Sequence, residues 1–130
     1  MDTIGNALSS IKNAAMAGRP FAEVYYSKVL EEILKVIKEA GFFDGIKVFK
    51  PEGRTIKKIH VDLAFEDGTP KVSDIKRISK PGRRTYKTAL EIKKVMGGYG
   101  LAVVSTSRGI MSGHTAKKKK LGGEVVCEVY

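Results

Sequence analysis

Ser105, Thr106 and Ser107 set three hydroxyls in succession, with Arg108 directly after them. A hydroxyl both donates and accepts, which suits base edges, ribose 2′-hydroxyls and phosphate oxygens, and a guanidinium adds a planar fork for phosphate or a base face. The plain alternative is a polar loop that ends a strand. A second constellation is Gly122-Gly123-Glu124. Gly123, like Gly109, has no Cβ and admits another backbone closely. Glu124 repels phosphate and so weakens indiscriminate polyanion binding. It can accept from base amino or imino groups, hold the serine loop in place, or remain a solvated edge charge. A third is the basic turn Lys80-Pro81-Gly82-Arg83-Arg84 followed by Tyr86, whose ring suits stacking on a base or half-burial on a strand.

Catalytic chemistry finds little support. His60, His114 and Cys127 have no metal-ligand spacing, so no metal or cofactor is expected. His60 is expected to face solvent on a strand and His114 to lie in a loop. Ser105 and Ser107 do not sit in a Gly-x-Ser-x-Gly elbow, and the Gly97-Gly98-Tyr99-Gly100 and Gly122-Gly123 stretches lack a phosphate-loop pattern. The expected protein is not an enzyme and has no catalytic residues.

Charge points the same way. Residues 1–68 carry 10 Lys/Arg against 10 Asp/Glu, whereas residues 69–130 carry 14 against 4, so the net +10 belongs to the second half. Such a field attracts polyanions, nucleic acid first and an anionic membrane surface second. The four lysines 117–120 reach solvent in several directions and add salt-dependent affinity without sequence choice. No secretory signal or membrane-length apolar run is visible, and one cysteine makes no internal disulfide, so the cytoplasm is the expected location.

The elements that must position these residues follow from periodicity. Apolar positions recur at three and four from Ile4 to Met16, and again in a second helix from Ser27, its N-cap, to about Ala40. That helix turns Leu30, Ile33, Leu34 and Ile37 to a core, with Val29, Val36 and Ala40 widening the stripe. Extended stretches are expected at 22–26, 42–50 and 55–65, with Asp67-Gly68 a turn. In the second half a basic strand is expected at 71–79, bent near Asp74, then a short helix opened by Thr88 and Glu91 and running to Met96. The apolar run Leu101–Val104 reads as a buried central strand, Ser112 as the cap of a last helical turn, and 124–130 as the terminal strand, with Met111 and Cys127 packing inside. The fold class is therefore α+β in two small domains. Residues 1–68 form an α-β-α-β-β unit, and residues 69–130 form a mostly antiparallel basic β domain with a short helix.

The order of motifs Arg77-Ile78-Ser79-Lys80-Pro81-Gly82-Arg83-Arg84-Thr85-Tyr86, then Leu101 to Met111 through Ser105-Thr106-Ser107-Arg108-Gly109, then Leu121-Gly122-Gly123-Glu124, closely resembles protein eight of the small ribosomal subunit in its bacterial form. The resemblance runs through the whole chain, including Asp2-Thr3-Ile4, Ile11-Lys12-Asn13 and Ser27-Lys28. It implies a structural ribosomal protein, a primary binder of the central domain of small-subunit rRNA that helps assemble the platform, with neighbouring ribosomal proteins five and twelve as partners. It also implies a possible second RNA target, the messenger of the protein's own operon. The family contacts a distorted helix through its minor groove. By motif, Ser105, Thr106, Ser107, Arg108, Gly122, Gly123 and Glu124 are then expected to form the main RNA surface, with Tyr86 and Lys80, Pro81, Gly82 and Arg84 alongside, while Asn13 and Lys28 supply contacts from the first half. Two positions depart from the pattern: Lys12 stands where the family often has Arg, and Ser112-Gly113-His114-Thr115 replaces an acidic and basic pair. A basic protein coating duplex DNA and a serine-dependent RNA-processing enzyme are the rival readings.

Overall fold

The computed structural model describes residues 2–130. Helix α1 (Thr3–Met16) starts where the Asp2 side chain accepts from the Gly5 amide at 3.0 Å, and α2 (Lys28–Glu39) where Ser27 accepts from the Leu30 amide at 3.1 Å. Gly18 and Gly41 follow with φ of 72° and 94°, the left-handed conformation that stops a helix at least cost to glycine. Between and after the helices come β1 (Phe21–Tyr25), β2 (Phe43–Phe49) and β3 (Lys58–Leu63), an antiparallel sheet in the order β1-β3-β2. The two-residue strands β4 (Phe65–Glu66) and β5 (Thr69–Pro70) form a hairpin around Asp67-Gly68, both at positive φ.

The second half builds a five-stranded sheet from β6 (Ile75–Arg77), β7 (Tyr86–Lys87), β8 (Leu101–Thr106), β9 (Gly109–Ser112) and β10 (Gly123–Val129). Its order is β6-β10-β8-β9, and β7 pairs the N-terminal end of β10 on the same side as β6. Helix α3 (Gly113–Lys118) is capped by Ser112, as expected, and covers Val104 with Ala116 and Ile92. The observed class is mixed α+β, with a helix-strand-helix-strand unit followed by an antiparallel sheet and a short helix.

One apolar core contains Leu8, Ile11, Ile33, Leu34 and Ile37 from the helices, Ile59 and Val61 from β3, and Val103, Cys127 and Val129 from the second sheet. Polar links reinforce this junction. Arg77 donates to Asp2 from Nε at 3.2 Å and to the Val126 carbonyl at 2.9 Å, and Lys12 Nζ lies 2.7 Å from Asp74. The Tyr130 hydroxyl donates to the other Asp74 oxygen at 3.2 Å.

Several local expectations need correction. The basic strand expected at 71–79 is confined to Ile75–Arg77, because the Ser73 and Asp74 amides both bond to the Tyr130 carbonyl instead of a neighbouring ladder. The helix expected from Thr88 to Met96 is absent. The Thr88 amide does donate to Glu91 at 2.8 Å, but the chain then forms a turn and a short 3₁₀ segment, Val95–Gly98, broken at Met96 with φ 48°. Only Ile92 and Val95 of that stretch are buried, too few to hold a helical face. Val29 and Ala40 are exposed, Ala40 as the C-cap beyond α2, so the core stripe of α2 is narrower than expected. His114 lies on α3, not in a loop.

Candidate nucleic-acid interface

The hydroxyl run lies at the end of β8 and around its hairpin with β9. Ser105 and Thr106 are the last two strand residues, half-buried, while Ser107 and Arg108 form the exposed turn. The three hydroxyls are not equivalent. Thr106 Oγ1 donates to the Gly109 carbonyl at 2.8 Å and accepts from the Arg108 amide at 3.1 Å, so it fixes the turn, which Gly109 completes at φ 117°. Among the described residues, the Ser105 and Ser107 hydroxyls have no side-chain hydrogen-bond partner, which leaves both free for a ligand.

Strand register gathers the other candidates. Glu124 pairs with Tyr86 on β7 and with Ser105 on β8, so Tyr86, Glu124 and Ser105 form one row across three strands and share a face. Gly122 and Gly123 make this row possible. A Cβ on Gly123 would collide with the Ser105 carbonyl oxygen and lie 2.9 Å from its carbon, and one on Gly122 would lie 2.6 Å from the Lys87 carbonyl oxygen. The backbone that these glycines admit is the protein's own, since β10 enters between β7 and β8 at close quarters.

Glu124 does not hold the serine loop. Its Oε2 accepts from Ser79 Oγ at 2.5 Å and from Arg84 Nη1 at 3.2 Å. Ser79 is fully buried and also accepts from the Thr85 amide at 3.2 Å. Between these anchors Lys80 and Arg83 bond to each other through both backbone pairs, at 2.9 and 3.1 Å. Pro81 and Gly82, the latter at φ 81°, occupy the middle of what is therefore a type II turn. The carboxylate thus neutralises part of Arg84 and ties the basic turn to the Tyr86–Ser105 row. Ser79 is the residue supporting this surface that sequence reasoning passed over. It stands inside the Arg77 to Tyr86 motif, but its role depends on a partner 45 positions away.

Tyr86 is 70% exposed, so it is a presented ring and not a packed one. It borders a cleft of about 900 Å³ whose other walls include Leu90, Lys117, Lys120 and the Gly122-Gly123 backbone. Arg108, Lys80, Pro81, Gly82 and Arg84 are all exposed nearby in sequence to these strands. Asn13 and Lys28 are exposed on α1 and at the first position of α2, so they do not belong to the row on the second sheet. His60 is not a free solvent-facing imidazole: Nδ1 lies 3.0 Å from Glu23 and Nε2 3.0 Å from Asp62, with the ring stacked on Phe21. Cys127 is buried among apolar side chains, which pushes its thiol pKa up to about 12. No group of His, Cys, Asp and Glu suited to a metal ion occurs among the described residues, and no described helix is long and apolar enough to cross a membrane.

A family model described as Ribosomal protein S8 matches residues 2–130. The small ribosomal subunit protein uS8 of Helicobacter pylori (strain ATCC 700392 / 26695) is 40% identical over 131 residues, spanning 99% of this chain and 98% of its own. That of Helicobacter acinonychis (strain Sheeba) is also 40% identical over the same spans, and that of Nautilia profundicola is 39% identical over 130 residues, again 99% and 98%. The family match spans the helices, the sheets and the Ser-Thr-Ser and Gly-Gly-Glu segments, and on that ground the chain belongs to the ribosomal protein S8 family.

Proposed function

We propose that this chain is a structural constituent of the small ribosomal subunit that binds the central domain of its rRNA and helps order the platform during assembly. The observation that carries the reading is the row Tyr86–Glu124–Ser105, with Ser107 at the adjoining hairpin tip and basic side chains on either side. Two unengaged hydroxyls, one carboxylate and one presented ring make a surface that discriminates, whereas lysines alone would bind any polyanion. An A-form major groove is too deep and narrow for side chains, so the hydroxyls are suited to the shallow minor groove and its 2′-hydroxyls. Asn13 and Lys28 would add contacts from the first half. Family membership supports incorporation beside other small-subunit proteins, with proteins five and twelve as the neighbours we propose. A resembling element in the messenger of the protein's own operon would occupy the same surface. The working place of the protein is then the ribosome, in the cytoplasm.

The test is a salt titration of binding to a central-domain rRNA fragment, a scrambled RNA and a DNA duplex of equal length. Tight binding to the fragment alone, persisting at moderate salt, is expected. Ser107→Ala should weaken it by about 1–2 kcal/mol without much effect on folding. Equal loss on fragment and scrambled RNA, or equal binding to all three, would overturn the reading and favour a coating role driven by charge.

A further inference from the structure

Strand β1 is an edge, and the ladder geometry shows which of its groups are unpaired. The Leu63 amide donates to the Pro20 carbonyl and the Tyr26 amide to the Lys57 carbonyl, so the even-numbered positions of this segment are the hydrogen-bonded pairs with β3. The amides and carbonyls of Phe21, Glu23 and Tyr25 therefore point away from the sheet, and no other backbone group meets them. Beside this edge runs the flank of α1. Two clefts, about 510 and 850 Å³, lie end to end between α1 and β1 and share Ser10 and Glu23. Thr3, Asn6, Ser10 and Asn13 line the helical wall, with Ala17 just past its end, all small or uncharged. A continuous channel thus follows an unpaired strand edge, separate from the row on the second sheet.

We propose that this channel accepts an extended segment of another protein, which adds to β1 as a fourth strand of the first sheet. Main-chain pairing would satisfy the outward groups of Phe21, Glu23 and Tyr25, and alternate side chains would face opposite walls. Those facing α1 have to be small. Those on the other side meet the rings of Phe21 and Tyr25, 45% and 63% exposed, with the Glu23 carboxylate between them. Glu23 and Asp62 share a single imidazole, His60, so negative charge remains at the middle of the edge, while Arg19 and Lys58 stand at its two ends. The complement is a segment with Lys or Arg opposite Glu23 and acidic or neutral residues at its ends. A second copy of this chain does not fit: antiparallel β1–β1 pairing centred on Glu23 would set two carboxylates opposite each other. RNA is disfavoured along the strand edge by the uncharged helical wall and the central carboxylate; Asn13, for which we propose an rRNA contact, lines the Arg19 end of the channel, so the rRNA reaches that end and not the edge at Glu23.

The probe is a labelled seven-residue peptide of alternating Thr and Val with a central Lys, added to the intact protein and followed by anisotropy and by amide exchange. Saturable binding is expected, with slowed exchange at Glu23 and Tyr25. N-methylation of the peptide amides on one alternating set should weaken binding at least about tenfold while the other set is tolerated, and central Lys→Glu should weaken it about tenfold. Saturating central-domain rRNA fragment should leave peptide binding intact. Absence of saturable binding up to about 1 mM, indifference to N-methylation, or displacement by the fragment overturns the proposal; the last would make the channel an RNA contact. Failure of the rRNA titration itself would leave these peptide results unaffected, so the two readings fall separately.

Discussion

Replacing Gly123 by alanine tests whether the tight entry of β10 builds the surface we propose for RNA. The added Cβ would meet the Ser105 carbonyl, with the carbonyl carbon at 2.9 Å and Thr106 Cα at 3.2 Å. Carbon atoms in contact sit at about 3.5–4.0 Å, so β10 has to withdraw from β8 by roughly 1 Å. The obstacle is backbone, and no side-chain rotation relieves it. Overpacking of this kind costs about 1–3 kcal/mol, and weakened ladder bonds add about 1 kcal/mol each, which together give about 3 kcal/mol. For 130 residues unfolding with about 2.1 cal/mol/K each, that is a fall in Tm of about 11 °C. Gly45→Ala is the internal control, since its Cβ would meet only the Asp62 carboxylate at an ordinary 3.5 Å and should change stability by less than about 0.5 kcal/mol. Thermal and urea unfolding measure both, and rRNA-fragment affinity measured well below either midpoint should fall only for Gly123→Ala. If the two variants are equally stable, the close approach does not hold the strands as argued.

Ser79→Ala should destabilise by about 1–2 kcal/mol, because the Thr85 amide loses its acceptor and Glu124 a donor, and should speed exchange of the Thr85 amide; unchanged exchange would separate the 80–84 turn from Ser79. Cys127 should resist alkylation in the native state and react at the rate of global unfolding, given its burial and raised pKa; rapid labelling at neutral pH would contradict the packing of β10. The hydrogen bond to Glu23, opposed by partial burial and aided by Asp62, raises the His60 pKa above 6.5. Its stabilising contribution is therefore full below the unfolded value near 6.5 and lost as pH rises through the folded value. NMR titration of His60 should give a midpoint above that of free imidazole, and a midpoint at or below it would break the sign of the argument.

Local rules recovered what local forces decide. The periodic apolar residues of α1 and α2, the Ser27 and Ser112 caps and the Asp67-Gly68 turn all form as their side chains dictate, because each depends on partners within a turn or two. The Thr88–Glu91 bond also forms, yet no helix grows from it, since a cap cannot supply the buried face that Ile92 and Val95 alone fail to make. The site was legible as residue types, hydroxyls, glycines and a carboxylate, but not as a row. Pairing Glu124 with both Tyr86 and Ser105 needs strand register, and the role of Ser79 needs the sheet to bring Glu124 back to it. Short β9 was not separable from the loop before it. The shared core left no trace in charge, which tracks the surface and not the interior.

Strand β10 lies inside its sheet, between β8 on one side and β6 and β7 on the other, although it comes after all of them along the chain. During synthesis, then, β6, β7 and β8 wait with open edges until their common neighbour has left the ribosome. Fragments ending before Gly123 have the cationic turn and the serine hairpin sequences but nothing to register them against. Because β10, made after its neighbours, is the strand that aligns Tyr86 with Ser105, the shape-selective RNA recognition we propose requires β10 in place, and chains that stop short of it offer only exposed edges for quality control to find.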